Sequence, residues 1–189
     1  MRKKILIAED ESIIRMDIRM MLEDHGYEVV GEAGDGDRAV ELAFKYKPDL
    51  ILMDIKMPKL NGLQASQIIA SQLDLPILII TAYSQKEFVE KAQQDNVVGY
   101  LVKPISESNL IPAVEIALHQ ANKAKKLKNE IAVAKKEVEK RKLIERAKGI
   151  LMQHEQLTEQ QAFKKMRDAS MSRQLTMESV AKEITSTYK

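Results

Sequence analysis

Leu50-Ile51-Leu52-Met53-Asp54 is a run of four apolar residues that ends in a carboxylate. Continuous apolar runs of this length are typical of strands that are buried on both faces of a parallel sheet. A second apolar run, Ile5–Ala8, leads into a second acidic cluster at Glu9 and Asp10. Because the carboxyl ends of parallel strands share one edge, where ligands bind, we expect Glu9, Asp10 and Asp54 to converge there.

Three neighbouring carboxylates repel one another unless a cation joins them. Carboxylate oxygens are ligands of hard divalent ions, so the sequence predicts a Mg²⁺ site held by Glu9, Asp10 and Asp54. We expect the loop after Asp54 to bring a main-chain carbonyl, that of Lys56, to the same ion. A carboxylate beside such an ion can attack a phosphoryl group, which makes Asp54 the candidate acceptor.

Strand and helix signals alternate over residues 1–118, which predicts an α/β domain with a doubly wound, five-stranded parallel sheet. The predicted strands are Ile5–Ala8, Glu28–Ala33, Leu50–Asp54, Ile77–Thr81 and Gly99–Val102. Two further strand ends, Thr81-Ala82 and Lys103-Pro104, point at the same edge. The Thr81 hydroxyl can donate a hydrogen bond to a phosphoryl oxygen, and Lys103 can neutralise phosphate charge.

Each of these signals has an ordinary structural explanation when it is taken alone. An Asp after a strand is most often a turn former or a helix cap, and a Lys-Pro pair is most often a surface turn. The acidic run from Glu9 to Glu11 could simply favour the amino end of the first helix. Their occurrence at the ends of different predicted strands makes coincidence a poor explanation.

A long helix is predicted from Ser106, which is a good N-cap residue, to the vicinity of Gly149–Gln153. Within it, apolar residues follow a three-four spacing that predicts a seam for pairing with a second helix. The seam residues are Leu127, Ile131, Ala134 and Val138, and a single solvated helix is the alternative. The sequence thus predicts three segments, namely a sheet domain over 1–118, a helical coiled-coil linker over 119–140 and an all-α domain over 141–189.

Two short helices complete the predicted all-α domain. One starts at Thr158, where Gln161 three residues later gives a capping-box pattern, and the other starts near Thr176. Both are too short to be stable alone. We expect them to pack with the end of the long helix and to bury Leu151, Phe163, Met166 and Ile184.

Charge is distributed unevenly along the 189 residues. Residues 1–118 carry a net charge of −6, residues 119–148 carry +7 and residues 149–189 carry +1. A basic second half is compatible with nucleic acid as a partner. The chain has no cysteine, which excludes disulfides and thiolate chemistry. The apolar stretch near the amino terminus is too short for a signal peptide, and no run approaches the length of a membrane helix, so the expected location is the cytoplasm.

Residues 1–118 resemble a response-regulator receiver domain. The resemblance is carried by Glu9-Asp10, by Asp54 with 57–62, by Thr81-Ala82 and by Lys103-Pro104. It implies a flavodoxin-like fold, Asp54 as the phosphoacceptor, and Mg²⁺ held by the acidic residues. It also implies a sensor histidine kinase as phosphodonor. In the implied switch, Thr81 and Tyr100 move on phosphorylation, and the surface formed by the fourth helix, fifth strand and fifth helix changes. A receiver catalyses only its own phosphorylation and dephosphorylation, so no metabolic enzyme is expected.

Residues 141–188 resemble an ANTAR domain, a small RNA-binding module of transcription antiterminators. The motif comprises Glu145–Met152, Thr158–Phe163 and Met166–Met171. It implies that the protein binds RNA hairpin loops in leader transcripts, and the overall pattern resembles ethanolamine-utilisation regulators. The candidate RNA contacts are the tail cations Lys148, Lys164, Lys165, Arg167 and Arg173, and for each of them taken singly a solvated helix face is the favoured explanation.

The expected function is therefore that of a two-component response regulator. Phosphorylation would promote a homodimer, which would bind leader RNA and prevent transcription termination. The alternative is a DNA-binding two-component transcription factor, which needs a recognition helix. The last tail helix has Lys182 as its only interior cation, which argues against that alternative. A phosphohydrolase that uses Asp54 would need a substrate pocket and a cap domain, and neither is evident in the sequence.

Overall fold

A computed structural model describes residues 2–82 and 96–188. The chain forms two compact units, Met1–Lys125 and Lys126–Lys189. The division falls within a long helix, seven residues beyond the sheet-domain boundary that the sequence suggested. No helix among the described residues is long and apolar enough to span a membrane.

The first unit contains a parallel sheet of five strands. They are β1 (Lys4–Ala8), β2 (Glu28–Ala33), β3 (Leu50–Asp54), β4 (Ile77–Thr81) and β5 (Val97–Val102). Their order in the sheet is β2-β1-β3-β4-β5, and each neighbouring pair is parallel. The fold class expected from the sequence is confirmed, and only β1 and β5 begin earlier than expected.

The apolar runs are strands because both faces of the sheet are covered. Within β3, Leu50 and Leu52 join one buried cluster, whereas Ile51 and Met53 join another on the opposite face. All five residues of β3, including Asp54, are buried. Side chains of a strand alternate between faces, so a strand covered on both sides must be apolar throughout.

Three helices connect the first strands and cover the sheet. They are α1 (Ser12–Asp24), α2 (Gly36–Tyr46) and α3 (Gly62–Gln72). The Asp35 side chain caps α2 by accepting from the Arg38 amide, and Asn61 and Gln64 form a capping box on α3. The fourth helix that the receiver resemblance implies would fall in residues 83–95, which lie outside the described part of the chain.

The remaining helices are α4 (Glu107–Glu155), α5 (Glu159–Ser172) and α6 (Met177–Thr187). Ser106 directly precedes α4, as expected, but the helix continues beyond Gly149 to Glu155. A single glycine costs a helix only about 1 kcal/mol, and the apolar residues that follow it are held by packing. The expected caps of the last two helices are present, since Thr158 and Gln161 form a capping box and Thr176 accepts from the Ser179 amide.

The second unit has its own small core. Its buried apolar residues are Ala147, Leu151, Ala162, Met166, Val180 and Ala181. Ile184 packs against this cluster, but the expectation that Phe163 is buried was wrong, since 45% of it is exposed. Ala162 and Met166 lie one turn apart and define the inner face of α5, and Phe163 is rotated about 100° away from that face.

Candidate functional site

Three carboxylates lie together at the carboxyl edge of the sheet. Glu9, Asp10 and Asp54 each present one oxygen atom, and these atoms all lie within 4.8 Å of one another. Glu9 and Asp54 are buried, whereas Asp10 is exposed. The groups meet because β1 and β3 are neighbours, with Ala8 opposite Met53 in the register. The side chains are therefore placed where the sequence led us to expect them.

Lys103 lies between two of these carboxylates. Its Nζ is 2.8 Å from Asp54 Oδ2 and 2.8 Å from Glu9 Oε2. Burial disfavours the Lys103 ammonium, but its hydrogen bonds to Asp54 and Glu9 outweigh burial and raise its pKa. Burial also raises the pKa of Glu9. The Lys103 hydrogen bond lowers this pKa and repulsion from Asp54 raises it, and the net result is a raised pKa. Lys103 thus brings one positive charge to a group of three acids.

The oxygen atoms at this edge suit a hard divalent cation. Glu9 Oε2 is buried and, among the described residues, accepts no hydrogen bond of good geometry, although the Lys103 ammonium lies near it. A buried oxygen that accepts no hydrogen bond lowers the stability of the fold, and coordination to a metal ion would remove that cost. The adjoining cleft has a volume of about 250 Å³ and is lined by Asp10, Asp54, Lys56, Thr81, Ala82 and Lys103. The residues therefore fit Mg²⁺.

Arg15 holds the backbone of the acidic loop, and the sequence analysis missed it. Its Nη1 donates to the Glu9 carbonyl at 2.5 Å and to the Asp10 carbonyl at 3.4 Å, while its Nε lies 3.4 Å from Glu32 Oε2. A cation in the first turn of a helix opposes the helix dipole. That unfavourable position in α1 is the sequence signal that could have identified Arg15.

The loop after β3 is fixed by a close backbone contact at Gly62. The Gly62 amide donates to the Ile55 carbonyl at 2.9 Å. A Cβ atom at Gly62 would lie 1.9 Å from the Asp54 carbonyl oxygen, so no larger residue fits. The Lys56 amide lies 3.4 Å from Asp54 Oδ1, which places Lys56 beside the site. Coordination by the Lys56 carbonyl remains a prediction.

The expected switch residues lie on the next two strands. Thr81 is buried at the end of β4 and lines the cleft together with exposed Ala82. Tyr100 lies on β5 and is 36% exposed, and partial burial raises its pKa. The movement of Thr81 and Tyr100 remains a prediction, and much of the surface expected to change lies in residues 83–95, outside the described residues.

Three of the five candidate RNA contacts are engaged in ion pairs. Lys148 is only 8% exposed, and its Nζ lies 2.7 Å from Glu159 Oε1 and 2.9 Å from Glu145 Oε2. Lys165 pairs with Glu155, and Arg173 makes two hydrogen bonds to the Glu183 carboxylate. The charge of these cations is already matched by carboxylates. Apart from Glu145, which is three residues from Lys148, the partners lie 10 or 11 residues away, so no local pattern could have revealed them.

Lys164 and Arg167 are exposed on α5 and, within the described residues, form no ion pair. They follow Phe163, which is 45% exposed, by one and four residues, so all three lie on neighbouring positions of one helix surface. The structure therefore brings an aromatic ring and two uncompensated cations together. Sequence reasoning counted Phe163 as a core residue and missed this combination.

The expected seam lies on an exposed part of α4 within the second unit. Leu127, Ile131 and Val138 are 56%, 58% and 49% exposed, and Ala134 is also exposed. Large apolar residues at this spacing leave a stripe of apolar surface in contact with water. The stripe is compatible with pairing to another helix, and its pairing remains a prediction.

The two units match two family models. Residues 5–115 match the response regulator receiver domain, and residues 132–184 match the ANTAR domain. The chain belongs to the response regulator family. It is a two-component response regulator with an ANTAR domain, as the sequence analysis expected. The receiver family binds Mg²⁺, which agrees with the acidic cluster at Glu9, Asp10 and Asp54.

Relatives of this response regulator cover one or both units. "Transcriptional regulatory protein PdtaR" of Mycobacterium tuberculosis is 48% identical over 185 residues, which is 98% of this chain and 90% of that protein. "Transcriptional regulatory protein YdfI" of Bacillus subtilis is 32% identical and aligns with 78% of this chain and 76% of its own length. The signal receiver domain of a modulated diguanylate cyclase from Desulfovibrio desulfuricans G20 has a TM-score of 0.59 at 32% identity, covering 65% of this chain and 98% of that one. The ethanolamine-utilisation subgroup remains a prediction.

Proposed function

We propose that Asp54 accepts a phosphoryl group from a sensor histidine kinase and that this phosphorylation promotes dimerisation of the chain. The dimer then binds hairpin loops in leader RNA and prevents transcription termination. The presence of a receiver domain and an ANTAR domain in one chain supports this proposal most directly. The receiver provides a phosphorylation input, and the basic second half provides a surface for RNA.

The chemistry at Asp54 is a transfer between two nucleophiles. A carboxylate oxygen of Asp54 attacks the phosphorus of a phosphohistidine, the P–N bond breaks, and the imidazole leaves and takes up a proton. Lys103, whose Nζ is 2.8 Å from Asp54 Oδ2, is close enough to pair with the charge of the incoming phosphoryl oxygens. Thr81 lines the same cleft and can donate a hydrogen bond to the phosphoryl group.

Glu9, Asp10 and Asp54 would hold Mg²⁺ beside this cleft, with the Lys56 carbonyl as a further ligand. When bound, the ion neutralises negative charge on the phosphoryl oxygens. Arg15 keeps the Glu9 and Asp10 backbone in place, so the two carboxylates keep their position at the end of β1. The chain needs no substrate pocket beyond this cleft, and we propose that it turns over no external metabolite.

The RNA surface is proposed to lie on α5 around Phe163, Lys164 and Arg167. Uncompensated cations attract phosphates, and an exposed aromatic ring can stack on an unpaired base of a loop. Lys148, Lys165 and Arg173 remain candidate contacts, but each would first have to leave a carboxylate. Duplex DNA is the weaker candidate because Lys182, the only interior cation of α6, pairs with Glu178 at 2.6 Å.

A mass measurement tests the phosphorylation step. The full chain is incubated with a small-molecule phosphodonor and Mg²⁺, and the intact mass is recorded with and without a chelator. We expect one added phosphoryl group that disappears with the chelator and in Asp54→Ala. Uptake by Asp54→Ala at the same rate would overturn the assignment of Asp54. Continuous release of inorganic phosphate from simple phosphate esters would instead favour a phosphohydrolase.

A binding measurement tests the output. The phosphorylated chain is titrated with a hairpin RNA, with the same stem closed by a different loop, and with duplex DNA of the stem sequence. We expect loop-dependent binding to RNA that weakens in Arg167→Ala, while phosphoryl uptake is unchanged. Preference for the duplex DNA would support the alternative of a DNA-binding transcription factor. The expected cytoplasmic location is part of this proposal, because leader transcripts are made there.

A further inference from the structure

Charged residues flank the apolar seam on α4, and their pattern favours one relative orientation of two paired helices over the other. With Leu127 and Ala134 as d positions, and Ile131 and Val138 as a positions, the flanking g positions are Lys123, Glu130 and Glu137. The flanking e positions are Lys128, Lys135 and Lys142. In coiled coils these two positions determine partner choice and orientation.

We propose that two copies of this chain pair along this seam as a parallel, in-register coiled coil. In that arrangement each g residue faces the e residue five positions later on the partner copy. Glu130 then faces Lys135 of the second copy, and Glu137 faces Lys142, so symmetry gives four attractive contacts. Of the three g–e pairs in this arrangement, only that of Lys123 with Lys128 of the second copy brings like charges together. This inference adds geometry to the proposed dimerisation and depends on it.

The antiparallel arrangement places like charges together on both flanks. There e positions face e positions and g positions face g positions. Lys128 would face Lys135 of the other copy, and Glu130 would face Glu137. Like charges held at this spacing are destabilising, so the same sequence that favours parallel pairing disfavours antiparallel pairing.

The present surroundings of these side chains leave them available for a second copy. Glu130, Lys135, Glu137 and Lys142 are all exposed. Glu137 lies 3.6 Å from Lys140, and Lys142 lies 3.1 Å from Glu139, each three residues away on the same helix. Exposed pairs of this kind contribute little, so their side chains can turn towards a partner helix. Pairing would also remove Leu127, Ile131 and Val138 from water.

Disulfide trapping tests the orientation, because the chain contains no cysteine of its own. Leu127→Cys, Val138→Cys and Val133→Cys are made singly in the full chain and oxidised mildly, with and without prior phosphorylation. In the parallel pairing, residue 127 of one copy lies opposite residue 127 of the other, within the roughly 4.4–6.8 Å Cα separation of a disulfide. Val133 is 65% exposed but lies off the seam, so its variant reports random collisions.

The expected result is fast crosslinking of Leu127→Cys with itself and slow crosslinking of Val133→Cys. A mixture in which Leu127→Cys and Val138→Cys crosslink faster with each other than with themselves would overturn the parallel arrangement while leaving dimerisation intact. If every variant crosslinks at the Val133→Cys rate, both the seam and the dimerisation through it are overturned.

Reversing the charges at the e and g positions gives a second, independent test of the helix orientation, made on the phosphorylated full chain. Glu130→Lys with Glu137→Lys turns four attractive contacts into repulsive ones and should raise the dimer dissociation constant roughly tenfold. Adding Lys135→Glu and Lys142→Glu to the same chain should restore dimerisation, because opposite charges face each other again. Glu139→Lys, on the outer side of the helix, is the matched control and should have little effect. Failure of the fourfold variant to recover would overturn the parallel pairing.

Discussion

Lys148 on α4 and Glu159 on α5 form an ion pair of 2.7 Å that joins two helices of the second unit. The hydrogen bonds that the Lys148 ammonium donates to Glu159 and Glu145 raise the pKa of Lys148, so its charged form is stabilised by these two carboxylates. Lys148 is 8% exposed, which leaves little of it for an external ligand. This geometry gives Lys148 a structural position, whereas Lys164 is exposed on the same unit.

Lys148→Met and Lys164→Met should therefore separate stability from RNA binding. Lys148→Met keeps the apolar stem but leaves Glu145 and Glu159 without their cation, and we expect a loss of about 1 kcal/mol in unfolding free energy. Lys164→Met should leave the unfolding free energy unchanged. It should make the slope of log binding constant against log salt concentration shallower by about one unit, because one phosphate contact is lost. Urea unfolding and RNA titrations at several salt concentrations measure the two effects. An equal change of slope in Lys148→Met would place Lys148 on the RNA surface.

Lys103→Met should destabilise the first unit, because it leaves Glu9 and Asp54 adjacent and buried without their shared cation. We expect a loss of about 1–3 kcal/mol, less than for a fully buried pair because 16% of the Lys103 side chain is exposed. Mg²⁺ should restore part of the loss by supplying positive charge. Denaturant unfolding with and without Mg²⁺ measures this, and Lys59→Met, which removes the exposed pair with Asp35, is the control.

The loss of unfolding free energy caused by Lys103→Met should also depend on pH. The folded-state pKa of Glu9 is already raised by burial, and loss of the Lys103 hydrogen bond would raise it further. A raised carboxyl pKa means that stability is fully present when the acid is protonated and is lost as pH rises through the folded-state pKa. The variant should therefore lose more stability at pH 8 than at pH 5. A loss that is the same at both values would show that Glu9 does not respond to Lys103.

The sequence predicted the sheet and its acidic edge because both depend on local patterns. Apolar runs identify strands that are buried on both faces, and Asp54 directly follows such a run. The pairing of Lys148 with Glu159 and the exposure of Phe163 depend instead on how α4, α5 and α6 meet. Both could be read only from the packed helices, since the side chains concerned have no distinctive spacing.

Gly62→Ala and Gly149→Ala form a matched pair that tests backbone packing beside the acidic site. A Cβ at Gly62 would lie 1.9 Å from the Asp54 carbonyl oxygen, whereas nothing lies within 4 Å of a Cβ at Gly149. We expect Gly62→Ala to destabilise by roughly 1–3 kcal/mol or more and to slow phosphoryl uptake, because Asp54 must shift. Gly149→Ala should be neutral or stabilise by about 1 kcal/mol through helix propensity. Equal stability of the two variants in urea would contradict the close contact at Gly62.

Acid should loosen the second unit. Hydrogen bonds from Lys165, Lys148 and Arg173 lower the pKa values of Glu155, Glu159 and Glu183, respectively. A lowered folded-state carboxyl pKa gives stability that is fully present above the unfolded value, here 4.5, and is lost as pH falls through the folded value.

We therefore expect the hydrogen-exchange protection factors of residues 141–188 to be constant from pH 7 to about 5.5 and to fall below about 4.5. Because each pair is solvent-exposed, the fall should be gradual and should weaken further in high salt. A variant with Glu155→Gln, Glu159→Gln and Glu183→Gln should start with lower protection and lose less of it as pH falls. Glu139→Gln, which removes only an exposed pair within α4, should behave like the unmodified chain. If the triple variant keeps the full acid sensitivity, these three pairs do not stabilise the bundle, and another carboxylate of the unit must be responsible.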